Sequence, residues 1–162
     1  MRILGIDPGT INLGYGVVEG EEEIHMVDLG VISLSPRTSM EERLGALYDE
    51  LSKIIASYKP NEVAIEEPFV GHNVASAFAI GRAQAIAILA AVKQGLPVYY
   101  YSPTQVKQQV TSYGRSDKQQ VQEMVKLQLH LPQLPKPSDA ADALAIAICH
   151  FQQSLFNKRL NE

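Results

Sequence analysis

The sequence predicts an α/β fold: a five-stranded mixed sheet, an antiparallel meander continued by parallel strands, flanked by helices. Three observations predict it. The first 34 residues hold three runs of strand length separated by turn residues. From residue 39 the apolar spacing changes to the three-to-four repeat of helices. Two further short apolar runs then alternate with helical stretches, the order that parallel strands with crossover helices require.

The elements follow in order. Residues 2–7 read as a buried strand closed by the turn Pro8-Gly9-Thr10. Leu13 to Glu19 is a second strand, interrupted by Gly14 and Gly16, and Ile24 to Leu34 a third after the turn at Gly20. Ser39-Met40-Glu41-Glu42 has capping-box spacing, and Leu44, Leu47, Leu51, Ile54 and Ile55 mark an amphipathic helix to Tyr58, stopped by Pro60. Glu62 to Glu66 is a short strand. Asn73 caps a long Ala- and Ile-rich helix through Val92, ended by Gly95. Pro97 to Tyr101 is the fifth strand, and its three tyrosines read as strand packing. Ser102-Pro103 opens a helix that Tyr113-Gly114 breaks. Ser116-Asp117 starts another, with Val121, Met124, Val125 and Leu127 inward. After the prolines 132, 135 and 137, Ser138 caps a last helix to Leu155, with His150 near its end. No internal repeat or linker divides the chain, so residues 1–162 are expected to form a single domain.

Composition narrows the class. With 46% hydrophobic and 20% charged residues, this is the balance of a soluble globular protein. The richest apolar run, Ala83 to Val92, is short of a membrane span, and the opening residues read as strand rather than leader. Cys149 is the single cysteine, so no intrachain disulfide forms; a cytoplasmic location without membrane contact is expected. The net charge of −4 conceals a division. Residues 1–71 hold 13 acidic and 5 basic side chains, whereas residues 72–126 hold 2 acidic and 6 basic. An anionic substrate approaching one face suits that polarity.

Four carboxylates stand beside the most hydrophobic segments. Asp7 ends Ile3-Leu4-Gly5-Ile6, Glu66 ends Val63-Ala64-Ile65, and Asp139 and Asp142 open the apolar helix. An ionised carboxylate costs several kcal/mol, roughly, to take out of water without a partner. Oxygen ligands of this kind suit Mg²⁺ or Mn²⁺. Strands ending at Asp7 and Glu66 are expected to be adjacent and parallel, and such sheets collect ligands at the strand carboxyl ends. Asp139 and Asp142, about 300° apart, share a helix face. A last helix packed across the strand ends brings all four together, as phosphoryl chemistry with two metal ions about 3.5–4 Å apart requires. The alternatives are a turn-forming Asp7 and a dipole-stabilised Asp139.

The segments Gly5-Ile6-Asp7-Pro8-Gly9-Thr10, Ile65-Glu66-Glu67-Pro68-Phe69, Tyr101-Ser102-Pro103-Thr104-Gln105-Val106-Lys107 and Ser138-Asp139-Ala140-Ala141-Asp142 through Ala147 resemble those of the RuvC family of bacterial crossover junction endodeoxyribonucleases, in order along nearly the whole chain. The resemblance implies an RNase H-like fold and a homodimer that resolves four-way (Holliday) DNA junctions by paired symmetric nicks with Mg²⁺, two ions per active site, Mn²⁺ being an alternative. It implies coupling to the RuvA and RuvB branch-migration complex. It places the family's metal-binding carboxylates on Asp7, Glu66, Asp139 and Asp142, its base-stacking aromatic on Phe69, and its DNA-backbone lysines on Lys107 and Lys118. One departure stands out: the family's Gly-Gln-Ala-Arg-Gly reads Gly81-Arg82-Ala83-Gln84-Ala85 here, so no DNA contact is assigned to Arg82.

Two other classes compete. Gly-Ile-Asp-Pro-Gly-Thr also resembles the first phosphate loop of actin-like ATPases and sugar kinases, which need a second related domain that this chain lacks. A non-catalytic junction-binding module would leave the carboxylates repelling phosphate.

Overall fold

In the computed structural model, which describes residues 1–67 and 73–162, β1 (Arg2–Asp7) is paired on both edges. It runs antiparallel to β2 (Asn12–Gly20), with Asp7 opposite Gly14, and parallel to β4 (Glu62–Glu66), with Ile6 opposite Ile65. β3 (Ile24–Ser33) continues the meander beyond β2, and β5 (Val98–Tyr101) lies parallel to β4, so the order is β3-β2-β1-β4-β5. The five-stranded mixed sheet and the parallel adjacency of the Asp7 and Glu66 strands are as the sequence predicts.

Side-chain alternation assigns each face its helices. Leu4 and Ile6 of β1 pack with α1 (Met40–Tyr58) and α2 (Val74–Lys93), joined by Leu13, Val17, Val63 and Ile65. The opposite parity, Ile3, Val18, Ala64 and Tyr101, packs with α3 (Pro103–Thr111), α4 (Lys118–Gln128) and α5 (Ser138–Leu160). Asp7 shares the parity of Ile3, and Glu66 that of Ala64. Both carboxylates therefore belong to the face that α5 covers.

Helix starts follow local chemistry. The Ser39 hydroxyl accepts from the Glu42 amide, and the Asn73 side chain from that of Ser76. Ser102 with Gln105 and Asp117 with Gln120 each form reciprocal capping boxes. α3 runs to Thr111 and Ser112 caps it in the left-handed region at φ 63°, directly ahead of the expected break at Tyr113-Gly114. Three expectations are corrected. Ser138 does not cap α5: Pro137 occupies the cap position and Ser138 is the first helical residue. Leu127 is 65% exposed, because it lies about 200° from Val125 around α4. α5 continues to Leu160, its apolar middle being enclosed on all sides and so giving no amphipathic rhythm to mark its end.

The buried face of α5 lies against β1 and β2 at backbone distance. A Cβ on Gly5 would overlap the carbonyl oxygen of Ala143, and one on Gly14 the carbonyl oxygen of Asp139. The interruption of β2 by glycine is thus a seat for the helix rather than a flaw in the strand. Replacing Gly14 by Ala should lift the first turn of α5, Asp139 included, and lower stability by about 1–3 kcal/mol. A urea midpoint unchanged from wild type would contradict this close approach.

α2 is the other departure. Its 20 residues have a mean hydropathy of 1.6 over an 18-residue window, long and apolar enough by length and composition to cross a membrane, where the sequence reading saw too short a run. Ala83, Ala87, Ala90 and Ala91 are buried toward the sheet and α1, but only 22% of that window is buried. Val74, Phe78, Leu89 and Val92 stand 45–66% exposed. Tyr99 and Tyr100 of the edge strand β5 are likewise 40% and 43% exposed, so of the three tyrosines Tyr101 alone is buried.

Candidate active site

Asp7 ends β1 where the Pro8 turn leaves the sheet, and Asp139 and Asp142 come from the first turns of α5 lying across it. Carboxylate oxygens of these three lie within 4.8 Å of one another. Glu66, at the end of the neighbouring strand, faces a cleft of about 220 Å³ lined also by Asp142, Lys107, Lys118, Pro103 and Val106. Asp142 is common to both groupings. Lys118, first residue of α4, sends its Nζ to 3.1 Å from Asp142 Oδ2, a pair in which the lysine is 59% and the aspartate 26% exposed.

Negative charge is crowded here. Burial, followed by repulsion from Glu66, Asp142 and Asp139, pushes the Asp7 carboxyl up to about 8. Burial and then Asp142 push Glu66 up to about 7, although Lys107 and Lys118 act in the opposite sense. Asp142 is raised as well, chiefly by burial, with Lys118 opposing. A protein gains nothing in stability from such mutual repulsion; a divalent cation relieves it. The donor set is entirely carboxylate oxygen, on rigid strand and helix ends, and fits a hard cation. An acidic cluster able to bind metal is therefore present.

Of the predicted residues it describes, the structure gathers Asp7, Asp139 and Asp142 into one carboxylate group and sets Glu66, Lys107 and Lys118 around the cleft that Asp142 shares. Phe69 lies outside the described residues. Arg82 lines an apolar groove on α2 with Val74, Ala77, Phe78 and Gly81, among residues unlike those of the acidic cleft. Glu67 is exposed and its amide donates to the Tyr101 carbonyl at 2.8 Å.

Sequence reasoning missed what joins the site's elements behind the carboxylates. His150, expected at a helix end, is 2% exposed in the body of α5. Its Nδ1 lies 2.6 Å from the Tyr101 hydroxyl and its Nε2 2.5 Å from Glu62, while Tyr99 packs on its ring. Burial lowers its pKa, against the raising effect of Glu62. The link ties α5, which carries Asp139 and Asp142, to β4, which carries Glu66. Glu62 has the parity of Glu66, and that shared face was the available signal.

Fold and site together define an RNase H-like protein whose sheet and last helix assemble an acidic, metal-competent centre. The family described as Crossover junction endodeoxyribonuclease RuvC matches residues 3–150. Relatives of that name are 49% identical over 154 residues in Thermomicrobium roseum, covering 95% of this chain and 94% of that one. In Dehalococcoides mccartyi a relative is 46% identical over 163 residues, covering 100% and 98%. Thermus thermophilus RuvC superposes with a TM-score of 0.90 at 36% identity, covering 97% of both chains. The same enzyme in complex with Holliday junction substrate gives 0.91 at 36%, covering 97% of this chain and 96% of that one. The chain belongs to the RuvC family.

Proposed function

We propose that this protein is a structure-selective endonuclease that resolves Holliday junctions by paired symmetric nicks in recombination and repair. The observation that carries this reading is the convergence of Asp7, Asp139 and Asp142, with Glu66 across the cleft, in a chain of this family. Asp7, Glu66, Asp139 and Asp142 would hold Mg²⁺, or Mn²⁺ in its place, as two ions. Bound metal supplies a lowered pKa for an attacking water and charge for the leaving oxygen. The chain's own residues do the rest. Lys107 and Lys118 draw a phosphate into the cleft. Hydrolysis in line leaves 5′-phosphate and 3′-hydroxyl ends. Lys118, paired with Asp142 at 3.1 Å, would be available to the phosphate where Asp142 holds a metal. Phe69, three residues beyond Glu66, would stack on a base unpaired at the crossover.

Two identical sites match the junction's pseudo-twofold symmetry if the protein is a twofold dimer. The exposed face of α2, where Phe78 is 66% exposed above Ala77, Gly81 and Ala85, supports a self-complementary contact between two copies of the helix. Replacing Phe78 by Asp should convert a dimer to a folded monomer in light scattering, with paired nicking lost. A wild-type monomer at micromolar concentration would reject the arrangement. One domain spanning residues 1–162, a cytoplasmic location and coupling to the RuvA and RuvB complex complete the reading.

Mapping cuts on a mobile synthetic four-way junction, with and without Mg²⁺, tests it. Metal-dependent nicks placed symmetrically about the crossover support the proposal. A junction bound but left intact in Mg²⁺ would show a binding module instead.

A further inference from the structure

We infer that the turn between α3 and α4 is a second DNA contact: Arg115 binds a backbone phosphate beside the cut, and Tyr113 packs against the adjoining nucleotide. The inference rests on the junction-nuclease reading above and extends the substrate path beyond the carboxylates.

The turn is short, exposed and rigidly built. Thr111 Oγ1 donates to the Lys107 carbonyl at 2.7 Å and lies 3.0 Å from the Tyr113 carbonyl. Its oxygen also accepts from the Tyr113 amide at 3.2 Å. Ser116, 3% exposed, donates to the Tyr113 carbonyl at 2.5 Å and shares a further hydrogen bond with Thr111. Ser112 takes the left-handed backbone at φ 63°, which reverses the chain. These bonds hold a segment with almost no core of its own. Only Ser116 is buried between residues 111 and 119.

What the scaffold displays is an aromatic and a cation. Tyr113 is 56% exposed, and Arg115 is exposed with no ion pair among the described residues. Both lie along the chain between Lys107 and Lys118, the two lysines of the acidic cleft. Arg115 is three residues from Lys118, so their Cα atoms are within about 11 Å, a separation that long side chains at both ends can match to neighbouring phosphates. The acidic groups near the turn leave this path open. Asp117 is engaged at the start of α4, where its Oδ1 accepts from the Gln120 amide at 2.8 Å. Tyr113 lines a groove of about 450 Å³ with Asp117, Gln119, Glu123 and Met124, whose two carboxylates turn a phosphate away and leave the groove to a base. A strand whose phosphates meet Lys107, Lys118 and Arg115 in turn is then offered the flat ring of Tyr113, a residue whose backbone Thr111 and Ser116 already hold, at reduced entropic cost.

Fluorescence anisotropy with a labelled four-way junction in EDTA, at NaCl concentrations from about 50 to 200 mM, tests the inference. Arg115→Ala should flatten the slope of log affinity against log salt by about 0.9, the value for one lost phosphate contact on duplex arms. Arg115→Lys should keep the wild-type slope. Tyr113→Ala should weaken binding about five-fold or more with the slope unchanged. Lys126→Ala, at the far end of α4, should leave both measures at wild type. Wild-type slope for Arg115→Ala with wild-type affinity for Tyr113→Ala overturns the inference, as does an equal loss of slope for Lys126→Ala, which would mark a diffuse field. A wild-type protein that fails to bind the junction overturns the nuclease reading itself.

Discussion

Replacing Asp7 by Asn should reduce junction cleavage by about a thousand-fold or more while the junction is still bound. Asp7 is nearest the centre of the acidic group: Glu66, Asp142 and Asp139 all repel its carboxylate. An amide removes one negative ligand at a position where metal charge stabilisation is worth several kcal/mol, and about 1.4 kcal/mol corresponds to each factor of ten in rate. Binding survives because Lys107 and Lys118 are untouched and one negative charge has left the phosphate's path. The substitution also carries a stability signature in EDTA. A carboxyl raised to about 8 in the folded protein, against an ordinary 3.8, contributes stability that is complete below pH 4 and is lost as pH rises toward 8. Asn has no such loss. The variant's melting temperature should therefore exceed wild type increasingly from pH 4 to pH 8. Cleavage retained by the variant would remove Asp7 from the mechanism, and a melting difference that does not grow with pH would deny the crowding.

Metal affinity should climb steeply with pH through the neutral range. In the metal-free protein Glu66 titrates about 7 and Asp7 about 8. Below pH 7 both must release a proton to a divalent cation, so affinity should rise about a hundred-fold per pH unit; between 7 and 8 one proton leaves and the rise falls to about ten-fold. Above 8 the curve flattens. Calorimetry of Mn²⁺ binding in two buffers of different ionisation enthalpy counts those protons directly. Affinity flat from pH 6 to 8, with no proton release, would show that the carboxylates are already ionised and that the site is less crowded than its geometry indicates.

Much of this was legible in the sequence for a physical reason: carboxylates placed after apolar strands, and at the start of an apolar helix, leave few arrangements that bury the helix and keep them charged. Asp7, Glu66, Asp139 and Asp142 converge accordingly. What escaped depends on partners distant in the chain. Gly14 interrupts a strand when only neighbours are considered, and its purpose appears with the Asp139 carbonyl above it. His150 gave no sign of burial because Glu62 and Tyr101, which satisfy its nitrogens, lie 88 and 49 residues away. Leu127 continued an apolar series in sequence but not around the helix. The outward face of α2 carries apolar residues on both sides of its axis, so periodicity alone did not separate the buried alanines from Phe78 and Leu89. The α3–α4 turn was recognised as a break, whereas its hydroxyl bonding, which makes the break rigid, involves no spacing that a sequence pattern records.

The backbone-close seating of α5 on β1 and β2 also bears on when activity can begin. Residues 2–20 and 138–160 make some of the most extensive contacts between elements of this protein, and more than a hundred residues of chain separate them. Contacts this distant form late, after the entropy of a long intervening loop has been overcome. During synthesis the sheet can close while α5 is still unmade, and at that stage Asp7 and Glu66 lack Asp139 and Asp142. A nascent chain is therefore harmless to DNA however well its sheet has formed, and the capacity to cut arrives as a single event with the docking of the last helix.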